Sequence, residues 1–219
     1  MITTEDLCVR FSDGSALRYA DLTFENNRSY ALLGASGCGK STLLNLLAGI
    51  LTTTEGSVTI DGQRASAWSQ KQRDAYRIAS IGHIFQDFKL LEDMTVADNI
   101  NILRLEGVNT SGMDELLDRL GILRLKKRRV KGLSGGEKQR VAIARALIKK
   151  PRIILADEPT GNLNFETGEA VVRQLIENAG DGTLICVTHD DRLAPRFDRV
   201  LDMNAVARFE AGREADAHA

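Results

Sequence analysis

Residues 29–51 read SYALLGASGCGKSTLLNLLAGIL, and three textures succeed one another within them. SYALL is a short apolar run of the kind a buried strand needs. GASGCGKS, from Gly34 to Ser41, is a glycine, four residues, then Gly-Lys-Ser. After it, Leu43, Leu44, Leu46, Leu47, Ile50 and Leu51 recur at helical spacing. Strand, glycine-rich turn and helix in that order build a phosphate cradle. Glycine lets the backbone turn so that successive N–H groups point inward at phosphate oxygens. The following helix adds the positive end of its dipole. Lys40 supplies a point charge for β- and γ-phosphates, and the Ser41 hydroxyl is a candidate Mg²⁺ ligand. The candidate cradle is therefore Gly34, Ala35, Ser36, Gly37, Cys38, Gly39, Lys40, Ser41 and Thr42.

Working outward, the N-terminal segments EDLCVRF and SALRYADLTF, joined at Asp13-Gly14, have β patterning, and GSVTIDGQ reads as a hairpin. A short helix is expected around Ser69–Tyr76, then a buried strand in IASIGHIFQ. From about Asp87 to Lys150 the character turns helical, with MTVADNINILRLEG, MDELLDRLGIL and SGGEKQRVAIARALIKK amphipathic. Strands return in PRIILADE and GTLICVTHD. Alternating strands and helices predict an α/β fold with a mostly parallel sheet covered on both faces. The expectation is one domain with a core of residues 1–86 and 151–219, an N-terminal antiparallel β subdomain and an inserted helical subdomain at 87–150. The closing EAGREADAHA is polar and is expected to fray.

Composition narrows the classes. The formal charge of −1 gives no overall basic field, so no nucleic-acid partner is expected. The three cysteines, Cys8, Cys38 and Cys186, are far apart without CxxC spacing, which fits a reducing compartment better than a zinc or disulfide framework. The start, MITTEDLCVRFSDG, carries acids and no apolar run, unlike a secretory signal. No apolar window reaches the length of a membrane helix, so any membrane role is expected to come through a partner.

RIILADE supplies the acids. Ile153, Ile154 and Leu155 bury a strand, so Asp157 and Glu158 emerge at its C-terminal end, where open α/β sheets place ligands. Asp157 is a candidate Mg²⁺ ligand, and Glu158 can accept a proton from water or orient it. GLSGGEKQRVAIARAL, Gly132 to Leu147, then starts a helix at a serine and two glycines. Its order and spacing between the two nucleotide motifs resemble the signature of ATP-binding-cassette (ABC) ATPases, with Glu137 in place of a glutamine and Gln139 and Arg140 kept. The resemblance covers nearly the whole chain.

It implies roles for further residues. Gln86 looks like the glutamine joining core and insertion, a catalytic and Mg²⁺-contacting residue. His189 looks like the histidine that senses the γ-phosphate. Asn164 closes GNLN in the loop that crosses the dimer interface, where an aspartate is familiar, so altered communication between sites is expected rather than lost hydrolysis. Phe11 lies where an aromatic stacks on adenine, although plain core packing also accounts for an aromatic in a β pattern. Cys38 reads either as a thiol that could block nucleotide or as a small tolerated residue. The run Lys126–Arg129 reads as a solvated face.

The same resemblance implies an ATPase using ATP and Mg²⁺, with two chains head to tail. Ser134, Gly135, Gly136 and Glu137 of one would close over nucleotide held by the other. It implies a separate integral-membrane permease docking near residues 86–99, with Phe88–Asn99 as its lining, at the cytoplasmic face of the membrane. FQDFKLL, MTVADNI and ADEPTGNL are similar to the macrolide-exporter, lipoprotein-release and haem-export branch. Cargo could be haem, lipoprotein, peptide or drug; the alternative is a mechanotransmitting cassette that moves no substrate.

Overall fold

The computed structural model describes residues 1–211. In chain order the elements are β1 (Ile2–Arg10), β2 (Ala16–Tyr19), β3 (Leu22–Phe24), β4 (Ser29–Leu33), α1 (Lys40–Leu47), β5 (Glu55–Ile60), β6 (Gln63–Arg64), α2 (Gln70–Ser80) and β7 (Ile81–Ile84). There follow α3 (Val96–Asn101), α4 (Met113–Arg119), α5 (Gly135–Leu147), β8 (Ile153–Asp157), α6 (Phe165–Asn178), β9 (Thr183–Thr188), β10 (Arg199–Asp202), α7 (Met203–Val206) and β11 (Ala207–Glu210). The chain has the α/β architecture of a P-loop NTPase.

One sheet is parallel throughout, in the order β10-β4-β9-β8-β7. Apart from the exposed edge strand β10, its strands are buried on both faces, and the period of two divides their side chains between two clusters. On β8, Ile154 and Ala156 face the helices α3 to α6, together with Ile100, Leu117, Val141 and Val172. Ile153 and Leu155 face α1 and the second sheet, with Leu43, Leu44 and Phe24. The helical segment therefore shares its core with one face of the sheet. The second sheet is antiparallel, in the order β11-β2-β1-β5-β6 with β3 also on β1, and it covers α1.

Three local expectations change. The strand expected over IASIGHIFQ holds only at Ile81–Ile84, because α2 runs on to Ser80. A capping box at Ser69 and Gln72 starts that helix, and the Lys149 ammonium donates to the carbonyls of Arg77 (2.8 Å) and Ile78 (3.1 Å) near its end. MTVADNINILRLEG gives only the short α3 before tightening into a 3₁₀ turn at Ile102–Glu106. Finally, β11 pairs with β2 as far as Glu210, so the fraying expected of the last ten residues does not begin there. From residue 212 onward that expectation lies outside the described residues.

Candidate active site

Strand order assembles the site. β4, β9, β8 and β7 are neighbours pointing the same way, so their C-terminal ends form a row: phosphate loop, His189, Asp157 with Glu158, and Gln86. A cavity of about 550 Å³ opens over this row, lined by Phe11, Ser36, Gly37, Gly39, Lys40, Ser41, Thr42, Gln86, Glu158 and His189. Leu17 and Phe209 complete its wall.

The loop is held before any ligand arrives. Gly39 sits at φ +97°, and a Cβ there would lie 2.7 Å from a Leu17 methyl and 2.9 Å from the Tyr19 hydroxyl. Glycine is required on both counts. Tyr19 donates to the Gly39 carbonyl at 2.8 Å, and burial raises its phenol pKa, so it stays a donor. The buried Lys40 ammonium donates to the carbonyls of Gly34 (2.7 Å) and Ala35 (2.8 Å) and lies 3.9 Å from Glu158. Cys38 is half-buried in the loop, its sulfur 2.7 Å from where a Cβ on Gly34 would stand, and it does not line the cavity.

Ser41 donates to Asp157 Oδ1 at 3.0 Å, so a hydroxyl and a carboxylate converge on one point. No cluster of three or more His, Cys, Asp or Glu exists among the described residues that could cage an ion. That donor set fits Mg²⁺, which takes one or two protein oxygens and completes its shell with phosphate and water. Beside it, Glu158 Oε2 is 2.8 Å from His189 Nδ1; the carboxylate is largely enclosed and the imidazole mostly exposed. Glu158 has φ +45°, uncommon for a residue with a side chain, and is held there by its N–H to the Val187 carbonyl (3.0 Å) and by Gly161 N–H to its own carbonyl (3.1 Å).

Ser134, Gly135, Gly136 and Glu137 do not line this cavity. Ser134 caps α5 in a capping box with Glu137, the counterpart of the sequence departure noted at that position. The Ser134 N–H, 3.0 Å from the carboxylate, holds Glu137 below the usual carboxylate range. The two glycines lie against the loop before α6. A Cβ on Gly135 would come 3.3 Å from Leu163, and one on Gly136 would come 2.8 Å from the Thr167 methyl.

Asn164 has a structural part within the chain as well. Its side chain caps α6 by accepting from Thr167 N–H at 3.0 Å, an internal bond that an interface role does not need. Asn162, two residues earlier, makes the cross-link: its amide donates to the Gln86 carbonyl at 3.1 Å. Sequence reasoning passed over Asn162, since an exposed loop asparagine gives no signal until its neighbour is known. Phe209 escaped for the same reason: its ring is stacked on Phe11, centroids 6.0 Å apart and planes 16° from parallel. Phe11 itself is 36% exposed and at the cavity wall, which removes the core-packing reading.

The stretch Phe88–Asn99 is exposed at Lys89, Leu91, Glu92, Asp93, Met94 and Asp98. Val96 and Asn99 are buried, and the Asn99 amide bonds both the N–H and the carbonyl of Leu91. Leu91 and Met94 stay exposed. The adjoining groove, about 500 Å³, is lined instead by Ile50, Ile78, Phe85, Ile102, Leu103 and Arg145, among others. Lys127, Arg128 and Arg129 are exposed, while the carbonyls of Lys126 and Arg128 accept from Ala97 and Val96 N–H at the start of α3.

Comparison with known proteins gives a consistent result. Residues 17–161 match the ABC transporter family. A lipoprotein-releasing system ATP-binding protein LolD of Xanthomonas euvesicatoria pv. vesicatoria is 40% identical over 195 residues, spanning 84% of this chain and 78% of the relative. LolD of Xanthomonas oryzae pv. oryzae is 41% identical over 191 residues with the same shares. Among solved structures, the dimeric bacterial ABC transporter cassette MJ0796 superposes with a TM-score of 0.80 at 30% identity, covering 98% of this chain and all of that one. A post-hydrolysis dimer of the same cassette, bound to ADP and Pi, matches equally well.

Proposed function

The chain belongs to the ABC transporter family, and we propose that it is the motor of a lipoprotein-releasing exporter, working as a homodimer on a separate membrane permease. As an ABC ATPase it binds and hydrolyses Mg-ATP. The lipoprotein cargo is inferred from the LolD relatives, which are 40% and 41% identical to this chain. The observation that carries the catalytic reading is the Glu158–His189 pair standing at the strand ends beside Lys40 and Ser41 in one cavity.

Each residue has a task in that reading. The loop N–H groups and Lys40 take the β- and γ-phosphates; the lysine exchanges two carbonyl partners for phosphate oxygens, a stronger charge-assisted contact. Ser41 and Asp157, with Gln86 nearby, would hold Mg²⁺, which supplies neutralisation of the phosphate charge. Glu158 accepts the proton of the attacking water or orients it, and His189 at 2.8 Å keeps that carboxylate directed and reaches toward the γ-phosphate. Phe11 stacks on the adenine. Ser134, Gly135 and Gly136 of a second copy close over the γ-phosphate through the start of α5. Hydrolysis then removes part of the interface and the pair opens.

No helix among the described residues is long and apolar enough to cross a membrane. The permease is accordingly proposed to dock from outside the chain, into the groove between α2, β7 and the Ile102–Glu106 turn, with the motor held peripherally at the cytoplasmic face. Exposed Ile50 and Ile102 give the groove an apolar floor for a short helix.

The test uses the Glu158→Gln chain with its membrane partner. It is expected to elute as a dimer with ATP and to retain lipoprotein in the purified complex. A monomer in saturating ATP would sink the homodimer. A wild-type complex whose ATPase is stimulated by haem, peptide or drug, with no lipoprotein retained by the Glu158→Gln complex, would sink the cargo assignment.

A further inference from the structure

The base end of the cavity is built from both ends of the described chain. β11 is an edge strand paired only with β2, with Phe209 directly opposite Leu17. Residues directly opposite in an antiparallel pair share a face. Leu17 lies over the phosphate loop, its methyl 2.7 Å from where a Cβ on Gly39 would be, so the Phe209 side of the sheet is the nucleotide side. The β1–β2 turn, closed by Phe11 N–H to the Ser15 carbonyl at 2.9 Å, brings Phe11 alongside. Both rings line the same cavity as Lys40 and Thr42.

We propose that Phe209 is a second base-contacting residue of the ATP site, forming with Phe11 a two-ring platform for the purine. The proposal rests on the reading of this cavity as the nucleotide site. Phe209 is 61% exposed, a large apolar ring left uncovered on an edge strand. An edge strand usually carries charge or proline to discourage pairing, and an exposed aromatic there calls for an occupant. The wall formed by Phe11, Leu17 and Phe209 is wholly apolar. It matches the face of a base and offers no hydrogen-bond partner to its edge.

The spacing sets the mode of contact. A base inserted between two rings needs about 7 Å from centroid to centroid, twice the usual carbon contact. The observed 6.0 Å is too short, so the base meets the outer face of the stacked pair rather than entering between its members. Face stacking tolerates any base. Phe209 therefore contributes affinity for the base without choosing between adenine and guanine. The strand is anchored independently of the ring, by the Ala20 N–H to the Val206 carbonyl (2.7 Å) and the Arg18–Glu210 ion pair (3.0 Å).

The test measures binding and turnover of ATP, GTP and inorganic tripolyphosphate by wild type, Phe209→Ala, Phe209→Leu and Phe209→Trp. Phe209→Ala is expected to weaken ATP and GTP alike by about tenfold, raising KM with kcat kept, while tripolyphosphate affinity is unchanged. Phe209→Leu, which retains apolar cover on the strand, should fall between, and Phe209→Trp should restore affinity. The new indole should change its emission with ATP but not with tripolyphosphate, against the Trp68 background of the wild type. Unchanged ATP affinity in Phe209→Ala overturns the proposal. So does equal weakening of ATP and tripolyphosphate, which would mark loss of the strand rather than of a base contact. A wild type that binds tripolyphosphate but not ATP overturns the nucleotide reading itself, and this inference with it.

Discussion

The phosphate loop and the signature helix both offer the start of a helix to an anion, yet they are finished to different degrees. The loop at Gly34–Thr42 has a buried lysine, a glycine locked at φ +97° and three neighbouring strand ends supplying two acids, a histidine and Gln86. At Ser134–Gly136 two of the nearby cations pair with acids of the same chain, Arg124 with Glu137 and Lys138 with Glu92. The serine is engaged as a cap by its own helix. A helix start by itself holds an anion weakly, since the dipole contributes only about 0.3–1 kcal/mol at an exposed site. One half is a binding site by itself. In the proposed dimer the other becomes one only when phosphate is already fixed in front of it, and closure is thereby coupled to bound ATP.

This contrast can be broken at several points. Glu158→Gln removes the proton acceptor of the finished half, and phosphate release should fall by roughly 10²–10⁴-fold while ATP binding survives. Full turnover in that variant would move catalysis elsewhere. Next, Gly136→Ala places a methyl 2.8 Å from the Thr167 methyl. Overpacking of about 1–3 kcal/mol within the chain should lower the Tm, and turnover with it, while the protein that stays folded keeps its ATP affinity. Adding Thr167→Ser, which deletes the opposing methyl, should recover most of it. Failure of that rescue would show that the glycine serves the phosphate and not the packing.

Smaller effects probe the link between the halves. Asn164→Ala deletes a helix cap and should cost about 1 kcal/mol of stability, read as a lowered Tm. Asn164→Asp keeps a good cap, so turnover should change by less than about tenfold, roughly 1.4 kcal/mol in barrier. A wild type that binds ATP without hydrolysing it, cured by Asn164→Asp, would contradict this. The least effect is expected from Glu137→Gln at neutral pH, because glutamine also completes a capping box. The difference should emerge in acid. Glu137 has a lowered pKa in the fold, so its contribution is present above the unfolded carboxylate value of about 4.5 and is lost as pH falls through the folded value. Melting curves across that window should separate glutamate from glutamine there alone.

Much of the finished half was legible in the chain. Motifs such as GASGCGKS and RIILADE are written in contiguous residues: Lys40 bonds the carbonyls of Gly34 and Ala35, and Asp157 and Glu158 directly follow a buried apolar run, so spacing predicts them. The end of α2 was not legible, because the Lys149 ammonium capping its carbonyls comes from 71 residues away. The burial of Asn99 was not legible for a similar reason. A polar, mixed stretch reads as surface, while Asn99 is fully buried with its amide satisfied by Leu91 and Thr95 carbonyls. The cap that Asn164 provides was not legible either, since an asparagine in a loop motif does not announce the helix start that follows it.

The sequence by itself determined the family, the α/β alternation, the phosphate loop and the acidic pair, because each is written in contiguous residues whose chemistry needs that spacing. Only the tertiary structure decided which strand ends stand together, that Asn162 bonds Gln86, and that Phe209 lies on Phe11. Those are contacts across a sheet, between segments as far apart as β2 and β11. Strand order and register set them, and neither leaves a mark in the spacing of nearby residues.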